Sequence, residues 1–218
     1  MFEEVSLSQT RRLVRLSIWA AFMALGAWVS LPIGPVPITL QTFFIFLAAF
    51  VDGPRASLSV LLYLGAGLLG LPVFAGGLAG PALVFGPTAG YALAFPLMAL
   101  ICGLGRARGK NPILGSAQAN LSEGQADSVF TKPNRLTRPG PALAKTLFFG
   151  LLGLAFVYLC GSIGLVLNMA FSFPAALAIN ITFIPGDLAK VVAAALVALT
   201  LSRTGSRSLA KSQAQPNF

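Results

Sequence analysis

The sequence predicts an all-α, polytopic membrane protein with six transmembrane helices and both termini in the cytoplasm. Three observations predict it: the scarcity of charge, six apolar blocks, and the placement of the basic residues. Only 10% of the 218 residues are charged and 56% are hydrophobic, whereas soluble domains carry roughly 25% charged residues. So few charged residues cannot cover the surface of a soluble fold. The mean hydropathy of +0.82 therefore indicates that lipid covers most of the surface.

The apolar blocks define the predicted helices. They are Leu13–Leu31, Ile38–Val51, Ala56–Gly70, Thr88–Leu104, Leu143–Gly161 and a last one from Pro174 to Leu201. A spanning helix needs about 20 residues, with a range of about 17–25, and the second and third blocks fall short of this. We therefore expect their helices to extend into the flanking loops. The sixth block is long enough for a helix with a broken lead-in.

The basic residues predict the orientation. Every Lys and Arg except Lys190 lies near the start of block one, between blocks two and three, between blocks four and five or at the start of block five, or after block six. Cytoplasmic loops are enriched in Lys and Arg, which explains the net charge of +9 without nucleic-acid binding. An even number of spans with both ends inside explains why these residues fall on one side. We expect one transmembrane domain over residues 1–218, with a mobile cytoplasmic loop at 105–144 and a basic cytoplasmic tail at 203–218.

The loops on the opposite side are rich in Gly, Pro and aromatic residues. Two examples are Pro32–Pro37 and Leu71–Tyr91. Such segments resist regular helix, because Gly loses much entropy there and Pro lacks an N–H donor. Irregular backbone at membrane depth is tolerated only against protein or a cavity. These loops are therefore predicted to form walls and lids of a binding site.

Asp187 and Lys190 are charged residues inside the last apolar block. Residues three apart share a helix face, and charges inside a membrane are costly and usually mark function. Pro185–Gly186 is expected to interrupt or start the helix, which would put both charges in its first turn, beside the partly positive N-terminus. The alternative is a structural ion pair that fixes this helix against its neighbours.

These two side chains indicate the chemistry of a ligand. Lys only donates hydrogen bonds and suits a carboxylate, whereas an ionised Asp only accepts them and suits N–H groups. A small molecule with an acid at one end, N–H groups at the other and an apolar body would match. These residues alone do not identify the ligand.

Four further residues are candidate ligand contacts: Gln41 and Thr39 through their polar groups, Tyr91 through its ring and hydroxyl, and Phe74 as a lid aromatic. Gln41 and Thr39 could instead hydrogen-bond between helices, and Tyr91 could belong to the interfacial aromatic belt. We expect no metal or cofactor, since the chain has no His, the commonest metal ligand.

Small residues mark places of close packing. Ala20 and Ala24, with Gly26 and Ala27, let another helix approach the first one, from the same chain or from a partner. Gly65–Gly70 reads GAGLLG but lacks the strand–turn–helix context of a dinucleotide site, so we expect helix packing there. No phosphate-binding loop is present around Gly109–Lys110, so any ATP hydrolysis would need another subunit.

Several stretches together resemble one family, the biotin-specific substrate-capture subunits (BioY family) of energy-coupling factor transporters. They are GPVPITLQT (Gly34–Thr42), DGPR (Asp52–Arg55), LLYLGAGLLGLPVFAGG (Leu61–Gly77), GPTAGY (Gly86–Tyr91) and FIPGDLAK (Phe183–Lys190). The resemblance implies a six-helix bundle in a bacterial cytoplasmic membrane that binds biotin near its outer face. It places Asp187 and Lys190 in the binding site, and with them Tyr91.

The resemblance also implies partners. These are a transmembrane coupling subunit, contacted through Ala20 and Ala24, and two ATP-binding-cassette ATPase subunits. The 105–144 loop is longer than the family pattern, which bears on partner docking. The sequence leaves open whether the chain transports alone, as a homo-oligomer or only with these partners.

Two other functions compete with biotin capture. One is capture of a different vitamin by the same fold. The other is a membrane enzyme acting on a lipid or an isoprenoid, which would need clustered carboxylates for a metal, or a nucleophile with a base. The chain offers one acid inside the membrane and no His, so we expect no enzymatic activity.

Overall fold

The structure is a computed structural model that describes residues 2–106 and 140–213, with side chains over 9–106 and 143–202. Its helices are α1 (Phe2–Trp28), α2 (Gln41–Asp52), α3 (Ala56–Leu68), α4 (Ala82–Phe85), α5 (Ala89–Leu104), α6 (Gly140–Met169) and α7 (Phe173–Gln213). Strands β1 (Ser30–Leu31) and β2 (Ile38–Thr39) pair antiparallel, and short 3-10 turns occupy Gly53–Arg55 and Ala75–Gly77. Residues 107–139, most of the predicted loop, lie outside the described ranges, and α6 begins at Gly140 inside that loop.

Six helices of 12 or more residues within the described ranges confirm the predicted fold. Three stretches are long and apolar enough to cross a membrane: Gln41–Leu68, Leu143–Met169 and Phe173–Ser202. The first is a hairpin of α2 and α3, because Gly53 turns the chain with a φ of 72°. The start of α2 and the end of α3 both lie beside the end of α1: Leu40 N donates to Gly26 O at 3.0 Å, and Trp28 Nε1 donates to Pro72 O at 3.0 Å.

The helix ends form two contrasting faces of the bundle. One, the basic end, carries Arg15, Arg55, Arg106 and Lys145; the other, the cavity end, carries Pro37, Pro72 and Met169. At the basic end the α2–α3 turn is fixed to α1 by a hydrogen bond from Trp19 Nε1 to Asp52 Oδ2 at 2.9 Å. The described Lys and Arg side chains other than Lys190 lie at this end, in agreement with the predicted topology. That this end faces the cytoplasm stays a prediction.

Helices α2 and α3 are shorter than a membrane span. The expectation that they extend into their flanking loops is wrong, since they have 12 and 13 residues, or about 18–20 Å, against a hydrocarbon core of about 30 Å. The β1–β2 pair and Pro37 prevent extension of α2, and Gly70, with a φ of 106°, follows the end of α3. Loops and a cavity occupy the space that these helices leave.

Helix α7 runs unbroken from Phe173 to Gln213, through Pro185. The expected interruption at Pro185–Gly186 and the broken lead-in are therefore wrong, and Asp187 lies within the helix rather than in its first turn. Pro185 is on an exposed face, and proline is tolerated inside membrane helices. Pro174 is in the first turn, a position that suits proline.

The small residues of α1 serve mainly internal packing. A Cβ built on Gly26 would lie 2.9 Å from the backbone N of Gln41, so this glycine lets α2 approach, and Ala27 is fully buried. Ala20 and Ala24 are half-buried and pack against the chain's own core. Their predicted contact with a partner stays a prediction.

Candidate ligand-binding site

A cavity of about 210 Å³ lies at the cavity end, above the short helices α2 and α3. It is bounded by α2, α3, α5, α6, α7 and the two loops that were predicted to be walls. All six predicted site residues line it: Thr39, Gln41, Phe74, Tyr91, Asp187 and Lys190. The structure therefore brings together residues from four separate sequence motifs, and their contact with a ligand stays a prediction.

Lys190 is fully engaged by the protein. Its ammonium donates to Thr39 O at 2.6 Å, to Thr42 Oγ1 at 3.1 Å and to Asp187 Oδ1 at 2.8 Å. An ammonium group has three N–H donors, so each has an acceptor. Thr39 thus contributes its carbonyl where a hydroxyl was expected, and Thr42 supplies the hydroxyl.

Asp187 keeps one acceptor position unused. Its Oδ1 accepts from Lys190 and from the Thr42 hydroxyl at 3.2 Å, and its Oδ2 accepts from the Tyr158 hydroxyl at 3.0 Å. A carboxylate offers about four acceptor positions, and three are filled by described residues. Since Asp187 lines the cavity, the fourth position on Oδ2 is suited to an N–H of a ligand.

Gln41 is the unpartnered polar group of the site. It is only 6% exposed, yet its amide forms no hydrogen bond with any residue in the described ranges, and it lines the cavity. An amide that both donates and accepts, and that lines the same cavity as the open position of Asp187, is suited to contact a ligand.

Tyr91 presents its ring to the cavity while its hydroxyl is held by the protein. The hydroxyl donates to Asn180 Oδ1 at 2.8 Å, and the Asn180 amide donates to Ser162 Oγ at 2.8 Å. The ring of Phe183 meets the Tyr91 ring edge to face, with centroids 6.2 Å apart. The ring, rather than the hydroxyl, is therefore the part of Tyr91 available for contact with a ligand.

Phe74 forms a packed wall of the cavity. It is 3% exposed and meets Tyr63 edge to face at 5.6 Å, while the Tyr63 hydroxyl donates to Val73 O at 3.1 Å.

The expectation that the GAGLLG segment (Gly65–Gly70) packs against another helix is wrong. Gly67 lies under the Phe74 ring, which comes from a loop, and nothing lies within 4 Å of a Cβ built on Gly65.

Sequence reasoning missed three polar residues that complete the cluster: Thr42, Tyr158 and Asn180. Thr42 directly follows Gln41 in the LQT segment, and Asn180 is a polar residue inside the last apolar block. Attention to polar residues in membrane segments could have found both. Tyr158 stands in a run of apolar residues with no motif, so no comparable signal pointed to it.

Comparison with known proteins identifies the family of this chain. The model of the BioY family matches residues 2–207. This chain belongs to the BioY family. The biotin transporter BioY of Thermotoga maritima is 35% identical over 197 residues, 88% of this chain and 96% of the relative. The biotin transporter BioY of Rhodobacter capsulatus is 35% identical over 205 residues, 88% and 94% of the two chains.

A solved structure supports the same assignment. It is described as the S-component for biotin from an ECF-type ABC transporter, and it matches with a TM-score of 0.69 and 27% identity over 90% of this chain and 93% of that one. The resemblance inferred from the motifs is thus confirmed, and so is a multi-pass helical fold.

Proposed function

We propose that this chain binds biotin and mediates its uptake as the substrate-binding subunit of an energy-coupling factor transporter. The observation that carries the proposal is a cavity of about 210 Å³ lined by both the unused acceptor position of Asp187 and the unpartnered amide of Gln41. Membership in the BioY family, whose relatives are named as biotin transporters, supports the same ligand. We propose no catalytic activity.

Biotin has three parts that match the cavity. Its cyclic urea carries two N–H donors and a carbonyl, which suit the Asp187 carboxylate and the Gln41 amide. Its fused apolar rings suit the walls formed by Tyr91 and Phe74, because apolar and aromatic walls are typical of ligand pockets. Its valerate carboxylate remains to be placed.

We propose that the urea lies against Asp187 and Gln41 and that the carboxylate points to the loops of the cavity end. Lys190 is the one cation among the described residues that line the cavity, and its three donors already have protein acceptors. Lys190 therefore acts as a positioning residue that holds Asp187 and Thr39. It is not expected to meet the carboxylate.

The methyl ester of biotin tests this orientation. It removes the acid charge and keeps the urea. Because a solvent-exposed charge contributes about 1 kcal/mol or less, the ester should bind within about five-fold of biotin. A loss of about a hundred-fold, abolished in Lys190→Met, would place the carboxylate at Lys190 instead.

Equilibrium binding tests the ligand. The protein purified in detergent should bind biotin saturably with a stoichiometry near one, and thiamin, riboflavin and folate should fail to displace it. The runner-up function, capture of a different vitamin by the same fold, predicts the reverse pattern. Folded protein that binds one of these vitamins but not biotin would overturn the proposal.

We further propose that the chain lies in a bacterial cytoplasmic membrane, with both termini inside, and works with a transmembrane coupling subunit and two ATPase subunits. The basic end supports the orientation, and the lack of a phosphate-binding loop in the sequence supports a separate ATPase. Ala20→Leu and Ala24→Leu should lower co-purification with the coupling subunit and leave biotin binding intact. Unchanged co-purification would place that interface elsewhere.

A further inference from the structure

Both aromatic walls of the cavity rest on a glycine of a neighbouring helix. The Tyr91 ring covers Gly161 of α6, so that a Cβ built on Gly161 would overlap three ring carbons of Tyr91. The Phe74 ring covers Gly67 of α3 in the same way. Neither glycine has a positive φ, and glycine inside a helix costs up to about 1 kcal/mol relative to alanine. Backbone conformation therefore does not explain these glycines, whereas room for the rings does.

The rings cannot retreat from an added methyl group except into the cavity. The Tyr91 hydroxyl is held by Asn180 at 2.8 Å, and Phe183 packs against the ring. Phe74 is held in the same manner by the edge-to-face contact with Tyr63. Since protein interiors are close-packed, a methyl group behind either ring moves that ring toward the ligand space.

We propose that Gly161 and Gly67 are specificity-determining residues: they set the width of the cavity by letting Tyr91 and Phe74 stand back from it. The choice of ligand rests on the proposed function. A bicyclic ligand needs this width most. Desthiobiotin, which keeps the urea and the acid but lacks the sulfur-containing ring, needs it less.

The chain offers two matched controls. Gly65 lies on α3 two residues before Gly67, and nothing lies within 4 Å of a Cβ built on it, so Gly65→Ala changes helix propensity alone. Gly164 lies on α6 three residues after Gly161 but faces the backbone of Gly90, with its built Cβ 2.6 Å from the Gly90 Cα. Gly164→Ala therefore presses on the α5 backbone beside Tyr91, whereas Gly161→Ala presses on the Tyr91 ring itself.

The experiment is calorimetric titration of biotin and desthiobiotin into wild type and the four alanine variants. Gly161→Ala and Gly67→Ala should weaken biotin binding about ten-fold or more, the range expected for overpacking, and should weaken desthiobiotin several-fold less. Gly65→Ala should change neither. Equal losses for both ligands would overturn the proposal, because a narrowed cavity discriminates by ligand width.

A double-mutant cycle separates ring displacement from general misfolding. In a Tyr91→Ala background, Gly161→Ala should have little further effect on affinity or on the unfolding midpoint, whereas Gly164→Ala should keep its effect, since independent changes add. If Gly161→Ala alone fails to fold, recovery in the Tyr91→Ala background supports the proposal and failure in both backgrounds overturns it. If wild type does not bind biotin, the proposed function fails. The double-mutant cycle, measured on the unfolding midpoint, then still tests whether Gly161 makes room for the Tyr91 ring.

Discussion

Asp52 and Asp187 are the two carboxylates among the described side chains, and they resemble each other by simple measures. Their side chains are 9% and 10% exposed. Each accepts a hydrogen bond from an aromatic side chain, Trp19 for Asp52 and Tyr158 for Asp187. Each pairs with a cation, Arg15 at 3.3 Å and Lys190 at 2.8 Å. Burial and ion pairing therefore do not distinguish them.

Their surroundings differ. Arg15 is 68% exposed and Lys190 only 13%, and Asp52 lies at the basic end, where it fixes the α2–α3 turn to α1. Asp187 lines the same cavity as the Gln41 amide, which has no partner within the described ranges. We propose that an unused hydrogen-bonding position facing a cavity, rather than a buried charge as such, distinguishes a candidate ligand site from a structural clamp.

The largest expected effect is on stability, from Lys190→Met. This change leaves Asp187 buried without its charge partner, which typically costs about 3–5 kcal/mol. The matched change, Arg15→Met, removes an exposed partner and should cost about 1 kcal/mol or less. Chemical unfolding in detergent measures both, and equal losses would contradict the contrast between the two ion pairs.

Gln41→Leu is expected to have a smaller effect, on biotin affinity rather than on stability. Biotin affinity should fall by about 1–3 kcal/mol, because the ligand loses its partner amide. The ligand-free protein should be no less stable, since the Gln41 amide forms no hydrogen bond within the described ranges. Calorimetry and ligand-free unfolding check the two halves, and a destabilised ligand-free protein would show that Gln41 pairs within the protein.

The smallest effect is expected from Trp19→Phe at the clamp. The loss of one hydrogen bond to Asp52 should cost about 0.5–1.5 kcal/mol of stability and leave biotin affinity unchanged. Ligand-free unfolding measures the stability change, and biotin calorimetry measures the affinity. A weaker affinity in this variant would mean that the basic end communicates with the cavity.

Much of this arrangement was predictable from the sequence, for physical reasons. Charge distribution and apolar blocks depend on the lipid environment, so they predicted six helices and their order. Polar residues are costly in that environment, so Asp187, Lys190 and Gln41 stood out. The six predicted site residues indeed line one cavity.

What the sequence did not predict depends on tertiary packing. The passage of α7 through Pro185 depends on which face of the helix the ring occupies. The hydrogen bond from Tyr158 to Asp187 depends on the approach of α6 to α7, and no local pattern encodes that distance. The role of Gly67 was also misjudged, since the residue that packs on it comes from a loop rather than from a helix.

The most direct test is biotin calorimetry on wild type, Asp187→Asn and Asp52→Asn. Wild type should bind near one equivalent, Asp187→Asn should bind about 1.5–3 kcal/mol more weakly, as expected for hydrogen bonds to a charged group, and Asp52→Asn should match wild type. Folded wild-type protein without biotin binding, or equal weakening by the two substitutions, would contradict the assignment of Asp187 to the ligand site.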